Sequence, residues 1–244
     1  MNLLLLEPSE ISSEGEVVLD GRRARHLIDV LKVREGSVVR AGVIDGPIGS
    51  ARVVGVDADR VRLSAHLEGP PPPRPAVDLL LALPRPKVLK RLWAQLAALG
   101  VGTVVLTNAS RVERFYFDSH VVREAELRPY LLEGLAQAKD TRVPLVRVAK
   151  TLKPLVEDQL EAIFGDARRL LADPVYERSA FDALRASPGR VVLALGPEGG
   201  WTPYERDLLE RNGFFGVGLG PRTLRLDTAA VALVALAHEA RRAR

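Results

Sequence analysis

Residues 68–75 read EGPPPPRP, and this stretch limits the folds open to the chain more than any other. Five prolines and one glycine exclude helix there and favour a stiff, extended connector. The chain is therefore expected to divide into a small amino-terminal domain, residues 1–70, and a larger domain, residues 76–244. With 244 residues in all, it can bury a substantial core.

The two parts differ in pattern. Residues 38–44, 51–56 and 60–66 are short β-rich runs joined by Asp-Gly and Asp-Ala-Asp turn signals, which predicts a small β-barrel with one short helix near residues 24–31. The opening MNLLLLEP has four leucines, no preceding basic residue and an early acid, so it reads as a first strand and not as a secretory signal. Beyond the connector, apolar runs at 77–83, 103–106, 145–148, 170–172, 191–195 and 214–219 alternate with helical stretches. That alternation predicts an α/β domain, a parallel sheet with helices on both faces. The longest apolar run, residues 229–237, is about half of a bilayer span, so a soluble cytoplasmic protein with no membrane segment is expected.

Composition removes several chemistries. No cysteine is present, which excludes disulfide scaffolds, thiolate nucleophiles and cysteine-bound zinc. The four histidines, His26, His66, His120 and His238, are scattered without ligand spacing, so no metal site is expected. A net charge of +4 is compatible with an anionic partner or simply with a basic surface.

Two glycine-proline loops carry the chemical signal. Residues 193–205, LALGPEGGWTPYE, and residues 218–230, GLGPRTLRLDTAA, each leave an apolar strand and enter a helix. Such loops present bare backbone amides, which suits a small polar ligand held by main chain. Thr202, Pro203 and Glu205 have the order of an N-cap, a first helical residue and a capping-box acid. The last helix is expected over residues 226–244, with Arg241, Arg242 and Arg244 complementing its dipole. No phosphate-loop lysine motif occurs, and Gly216, Gly218 and Gly220 lack the dinucleotide spacing. Too little chain follows Gly220 to complete a βαβ unit.

The loops resemble those of the knotted SPOUT methyltransferases, in particular the branch that methylates N3 of a uridine in 16S ribosomal RNA. The matching positions are Gly196, Pro197, Glu198, Gly199, Gly200, Trp201 and Glu205, then Leu219, Gly220, Arg222, Leu224, Arg225, Asp227, Thr228 and Ala229. Residues 25–46, 81–101 and 134–144 resemble further segments of the family, with departures at Lys32, Ser37, Gln95, Ala98 and Asp140, the last followed by Arg142. The resemblance implies a PUA-like barrel followed by an α/β domain with a carboxyl-terminal trefoil knot, S-adenosylmethionine as cofactor, ribosomal RNA of the small subunit as partner, and a homodimer. It implies one cofactor wall from Leu195, Gly196, Glu198 and Gly199 and another from Leu219, Gly220 and Leu224, with Thr228 and Ala229 beside them. Arg225 and Asp227 become the catalytic candidates. Arg22, Arg23, Arg25, His26, Arg85, Lys87 and Arg222 become the candidates for RNA contact. The departures motivate one alternative, a non-catalytic RNA-binding or ribosome assembly factor on the same fold. Purely structural readings also stand open: Glu198 as a helix-terminus carboxylate, Asp227 and Thr228 as caps, Trp201 as a packing anchor instead of a base-stacking platform, and residues 229–237 as helix core and dimer interface.

Overall fold

The computed structural model describes residues 2–187 and 189–242, so Arg244 of the expected terminal cluster lies outside the described residues. The chain forms two compact units, Met1–Arg74 with Leu135–Val143, and Pro75–Gly134 with Pro144–Arg244.

In the first unit, β1 (Leu4–Leu6), β2 (Glu16–Leu19), β3 (Val38–Val43), β4 (Ile48–Val56) and β5 (Val61–His66) form one sheet in the order β1-β3-β4-β5-β2. Only the β1–β3 pair is parallel. Alternate residues point inward, as the two-residue strand period requires: Val17 and Leu19, Ala51 and Val53, Val61 and Leu63 are buried. They share one core with Leu4, Leu6, Ala41 and the helix residues Ala24 and Leu27, so the sheet curls around a common centre. A register shift between Val53 and Gly55 helps β4 to bend. β1 and β2 are the two ends of this curled sheet, which bears out the expected barrel in part. The short helix is α1 (Gly21–Arg25), continued by a π turn over His26–Val30.

Residues 135–143 complete this unit. The Asp140 carboxylate accepts the amides of Thr141 at 2.6 Å and Arg142 at 3.0 Å, which shapes a turn. Thr141 donates its hydroxyl to the Gly46 carbonyl at 2.7 Å and accepts the Asp45 amide at 2.8 Å. Arg142 donates to the carbonyls of Pro72 and Asp45. Asp140, where the sequence departs from its look-alikes, and the following Arg142 are thus occupied in holding a turn.

The second unit contains β6 (Val77–Ala82), α2 (Pro86–Leu99), β7 (Thr103–Thr107) and β8 (Leu145–Ala149), with α3 (Glu124–Ala138) between the last two in the chain and belonging to this unit as far as Gly134. After β8, α4 (Leu152–Pro154) passes through a π turn into α5 (Leu160–Phe164). Then come β9 (Arg168–Ala172), α6 (Ala180–Arg185), β10 (Val191–Leu195), α7 (Pro203–Arg211), β11 (Phe215–Val217) and α8 (Leu226–Arg242). All six strands are parallel, in the order β11-β9-β10-β6-β7-β8. β6, β7 and β10 are buried at every position, which is why they read as unbroken apolar runs. α8 packs on α2 and α6 through Ala230, Leu233, Val234 and Ala237, spaced at helical intervals. Among the described residues, no helix is long and apolar enough to cross a membrane.

The two ends of this sheet are chemically different. At the amino-terminal ends of β6 and β10, Arg190 pairs with the fully buried Asp78 and reaches Thr103 at 3.3 Å. Burial pushes the Asp78 carboxyl above its ordinary value, while the Arg190 guanidinium pulls in the opposite direction. The carboxyl-terminal ends open instead onto glycine-rich loops.

Candidate active site

β10 delivers the chain at Leu195 into the first loop. Gly200 adopts φ +73° and its amide closes back on the Pro197 carbonyl at 2.7 Å, which makes a tight turn that favours glycine. Trp201 is buried beneath it, 1% exposed, with its ring 3.0 Å from where a Cβ on Gly196 would stand. The tryptophan is therefore a packing anchor and not a surface for stacking a base. Thr202 and Glu205 form the expected capping box, with Thr202 Oγ1 accepting the Glu205 amide at 3.3 Å and Glu205 Oε2 accepting the Thr202 amide at 2.7 Å. The other oxygen of Glu205 accepts the Ser110 amide at 2.6 Å, so one buried carboxylate also fastens the loop that follows β7. Arg111 on that loop donates to the Gly199 carbonyl.

β11 delivers the second loop. Its continuation at Gly218 runs alongside residues 178–180, donating to Arg178 O at 2.8 Å and accepting the Ala180 amide at 3.0 Å. Gly220 follows with φ +96°, and a Cβ there would meet no atom within 4 Å. The glycine supplies both the turn and open space beside it.

The two loops enclose a cavity of about 330 Å³ at the carboxyl-terminal ends of β9, β10 and β11. Parallel sheets place ligand sites at this end. Of the residues singled out from sequence, Leu195, Gly196, Glu198, Leu219, Gly220, Leu224 and Ala229 line the cavity, together with Arg222, Arg225 and Asp227. Gly199 and Thr228 do not. The Gly199 carbonyl is taken by Arg111, and the Thr228 amide donates to Asp227 Oδ1 at 3.0 Å.

Charge at the mouth is organised by Asp227. Arg225 Nε lies 3.5 Å from one of its oxygens and a terminal nitrogen of Arg91 lies 3.3 Å from the other. Arg225 is otherwise exposed, so its far face is available. Glu198 Oε1 accepts the Arg85 amide at 3.2 Å, tying the first loop to the start of α2, where the side chains of Arg85 and Lys87 are exposed. Arg22, Arg25 and His26 lie on α1 and its π turn in the first unit, and Arg23 there is held by Glu10 and by the Leu5 carbonyl at 3.1 Å. Among the described residues no group of three or more histidines or acids is placed to hold a metal ion.

An RNA methyltransferase domain model matches residues 71–238. Over 241 residues the chain is 32% identical to the ribosomal RNA small subunit methyltransferase E of Treponema pallidum, spanning 97% of this chain and 90% of that protein. The chain belongs to the RNA methyltransferase family. The ribosomal RNA small subunit methyltransferase E 1 of Borreliella burgdorferi is 24% identical, with 95% of each protein covered. The same fold occurs in the ribosomal RNA small subunit methyltransferase E of Neisseria gonorrhoeae, a structure bound to S-adenosyl methionine, with TM-score 0.76, 23% identity, and 96% of this chain and 95% of that one covered.

Three features of this RNA methyltransferase domain were not legible beforehand. Asp173 lines the cavity, 6% exposed, with Arg206 at 3.7 Å; its place directly after an apolar strand was an available signal, since parallel strands present functional residues at their carboxyl ends. The Arg91–Asp227 pair and the Arg111–Gly199 contact join residues 136 and 88 positions apart, and no local pattern announces them. Gly218 yields a first prediction. A Cβ there would sit 2.1 Å from the Tyr176 carbonyl oxygen, a backbone atom that cannot swing aside. Gly218→Ala should cost about 2–3 kcal/mol of overpacking and lower Tm by about 4–12 °C, measured by scanning calorimetry.

Proposed function

We propose that the chain transfers a methyl group from S-adenosylmethionine to N3 of a uridine in small-subunit 16S ribosomal RNA. The observation that carries this reading is the backbone-lined cavity between the two glycine-proline loops, with Arg222 and Arg225 at its mouth. Its volume suits a nucleoside-sized ligand, and Gly196 and Gly220 leave main chain accessible for reading a base edge. Bound S-adenosylmethionine supplies an electrophilic methyl group on a sulfonium. The apolar walls from Val88, Val217 and Leu233 exclude water from the reacting centre. The imide proton of N3 passes to the Asp227 carboxylate as the methyl group is transferred, and the negative charge developing on the uracil oxygens is stabilised by the Arg225 guanidinium. Asp227 also orients Arg225 and Arg91.

The reading includes a carboxyl-terminal trefoil knot, supported by the passage of Gly218 beside residues 178–180. It includes a PUA-like role for the curled first unit in RNA contact, carried by Arg22, Arg25 and His26. It also includes a cytoplasmic homodimer, supported by the face of α8 bearing Val231, Ala232, Ala235 and Leu236, which the unit's own core leaves partly accessible.

Deleting the gene and measuring nucleosides of small-subunit ribosomal RNA by mass spectrometry tests the reaction. Loss of one N3-methyluridine, restored by the intact gene, is the expected result. An unchanged nucleoside profile, with the purified chain still binding S-adenosylmethionine in calorimetry, would instead favour the non-catalytic RNA-binding role.

A further inference from the structure

A second concavity lies on the other side of the first loop, where the ends of β7 and β8 face the first turn of α7. Asn108, Arg114, Thr151, Lys153 and Tyr204 line it. Its composition differs from that of the first cavity. Tyr204, in the groove, and Phe115, one residue after the lining Arg114, are the two most exposed Phe, Tyr or Trp residues among the described residues, at 60% and 64%. Neither is buried in the core, although the Phe115 ring meets the Tyr116 ring edge-on at 4.8 Å. Arg114 and Lys153 line the groove, and Arg111 and Lys150 are exposed basic residues adjacent in sequence to lining residues. Glu113, Asp118, Glu157 and Asp158 are exposed acids on the same segments, and Glu157 stands 3.9 Å from Lys153. Glu205 also borders the groove, but its carboxylate is buried and occupied by Thr202 and Ser110. Asn108 Oδ1 is buried with no hydrogen-bond partner.

Exposed aromatic rings set among cations recognise unpaired nucleotides, through stacking on the rings and attraction to the phosphates. We infer that this groove binds the single-stranded RNA flanking the methylated uridine, an inference that rests on the RNA methyltransferase reading above. Its position fits that task. Gly200 lines the first cavity and Tyr204 lines the groove, so the two sites are at most about 14 Å apart along the chain. A strand with its target base in the cavity has its neighbours over Tyr204 and Phe115.

The test is fluorescence anisotropy with labelled single-stranded oligouridine and with a fragment of small-subunit ribosomal RNA, alongside calorimetric titration with S-adenosylmethionine. Tyr204→Ala and Phe115→Ala should each weaken RNA binding about 5- to 100-fold, the range for one stacked base. Tyr204→Phe keeps the ring and should bind as the parent does. Arg114→Ala should reduce the slope of log affinity against log salt by about one unit. S-adenosylmethionine affinity should stay unchanged in all four, and Phe181→Ala, an aromatic on α6, serves as the control. RNA affinity unaltered by the two alanine variants overturns the groove while leaving the methyltransferase reading intact. Variants that instead change the sedimentation of the chain would assign this face to a contact between copies and also overturn it. A parent chain that binds S-adenosylmethionine but neither RNA overturns the groove and the RNA substrate together.

Discussion

Arg225→Ala is expected to slow methyl transfer about 100-fold or more, the usual cost of removing one preorganised donor from a developing anion. It should leave the fold almost untouched. The guanidinium is 71% exposed and its contact with Asp227 is 3.5 Å long, so this is a surface pair of the kind that contributes about 1 kcal/mol or less. Tm should therefore move by no more than about 4 °C. Arg225→Lys keeps the charge but loses the planar fork, and should recover only part of the rate. Single-turnover methyl transfer to ribosomal RNA, with calorimetry of the same samples, separates the two effects. A variant within about threefold of the parent rate would remove Arg225 from the reaction, since it falls far below the expected electrostatic loss.

Glu205→Ala should do the opposite, striking stability first. Its carboxylate is 3% exposed and serves three donors, the Ser110 amide at 2.6 Å, the Thr202 amide at 2.7 Å and the Thr202 hydroxyl at 2.8 Å. Truncation leaves those donors facing a void, at a total of about 3–5 kcal/mol. For a chain of 244 residues that corresponds to a fall in Tm of about 6–20 °C. Because the same side chain fastens the β7 loop to the first glycine loop, S-adenosylmethionine affinity should fall as well, by about tenfold for each 1.4 kcal/mol spent on reordering the loop. Glu205→Gln retains one acceptor but turns an amide NH₂ toward a donor, and should fall between the two. Parent-like Tm and cofactor affinity in the alanine variant would show that the carboxylate holds neither loop.

These two residues mark the range of what could be read beforehand. Arg225 was found from its place in a motif, and Glu205 from its place in the other motif and as a helix cap, without its link to the β7 loop. The cap is local, because Thr202 and Glu205 are three residues apart and the pattern of N-cap, proline and acid is written in consecutive positions. The bond from Glu205 to Ser110 spans 95 residues and has no local signature. The same distinction explains the first unit. Its β-rich runs at 38–44, 51–56 and 60–66 were evident from composition, but β2 is only four residues long and its partner β5 lies more than forty residues away. Residues 135–143 pack with that unit although the proline-rich connector lies between them and the rest of it in the chain.

The sequence by itself determined the six parallel strands, the capping box at Thr202 and the two glycine-proline loops. Each of these depends on propensity, periodicity or steric limits among neighbouring residues. Tertiary structure alone decided the strand order β11-β9-β10-β6-β7-β8, the pairing of Asp227 with Arg91, and the engagement of Arg23 by Glu10. Those outcomes rest on contacts between distant segments. Their energies become available only after loop closure has brought the partners together, so no short window of sequence contains them.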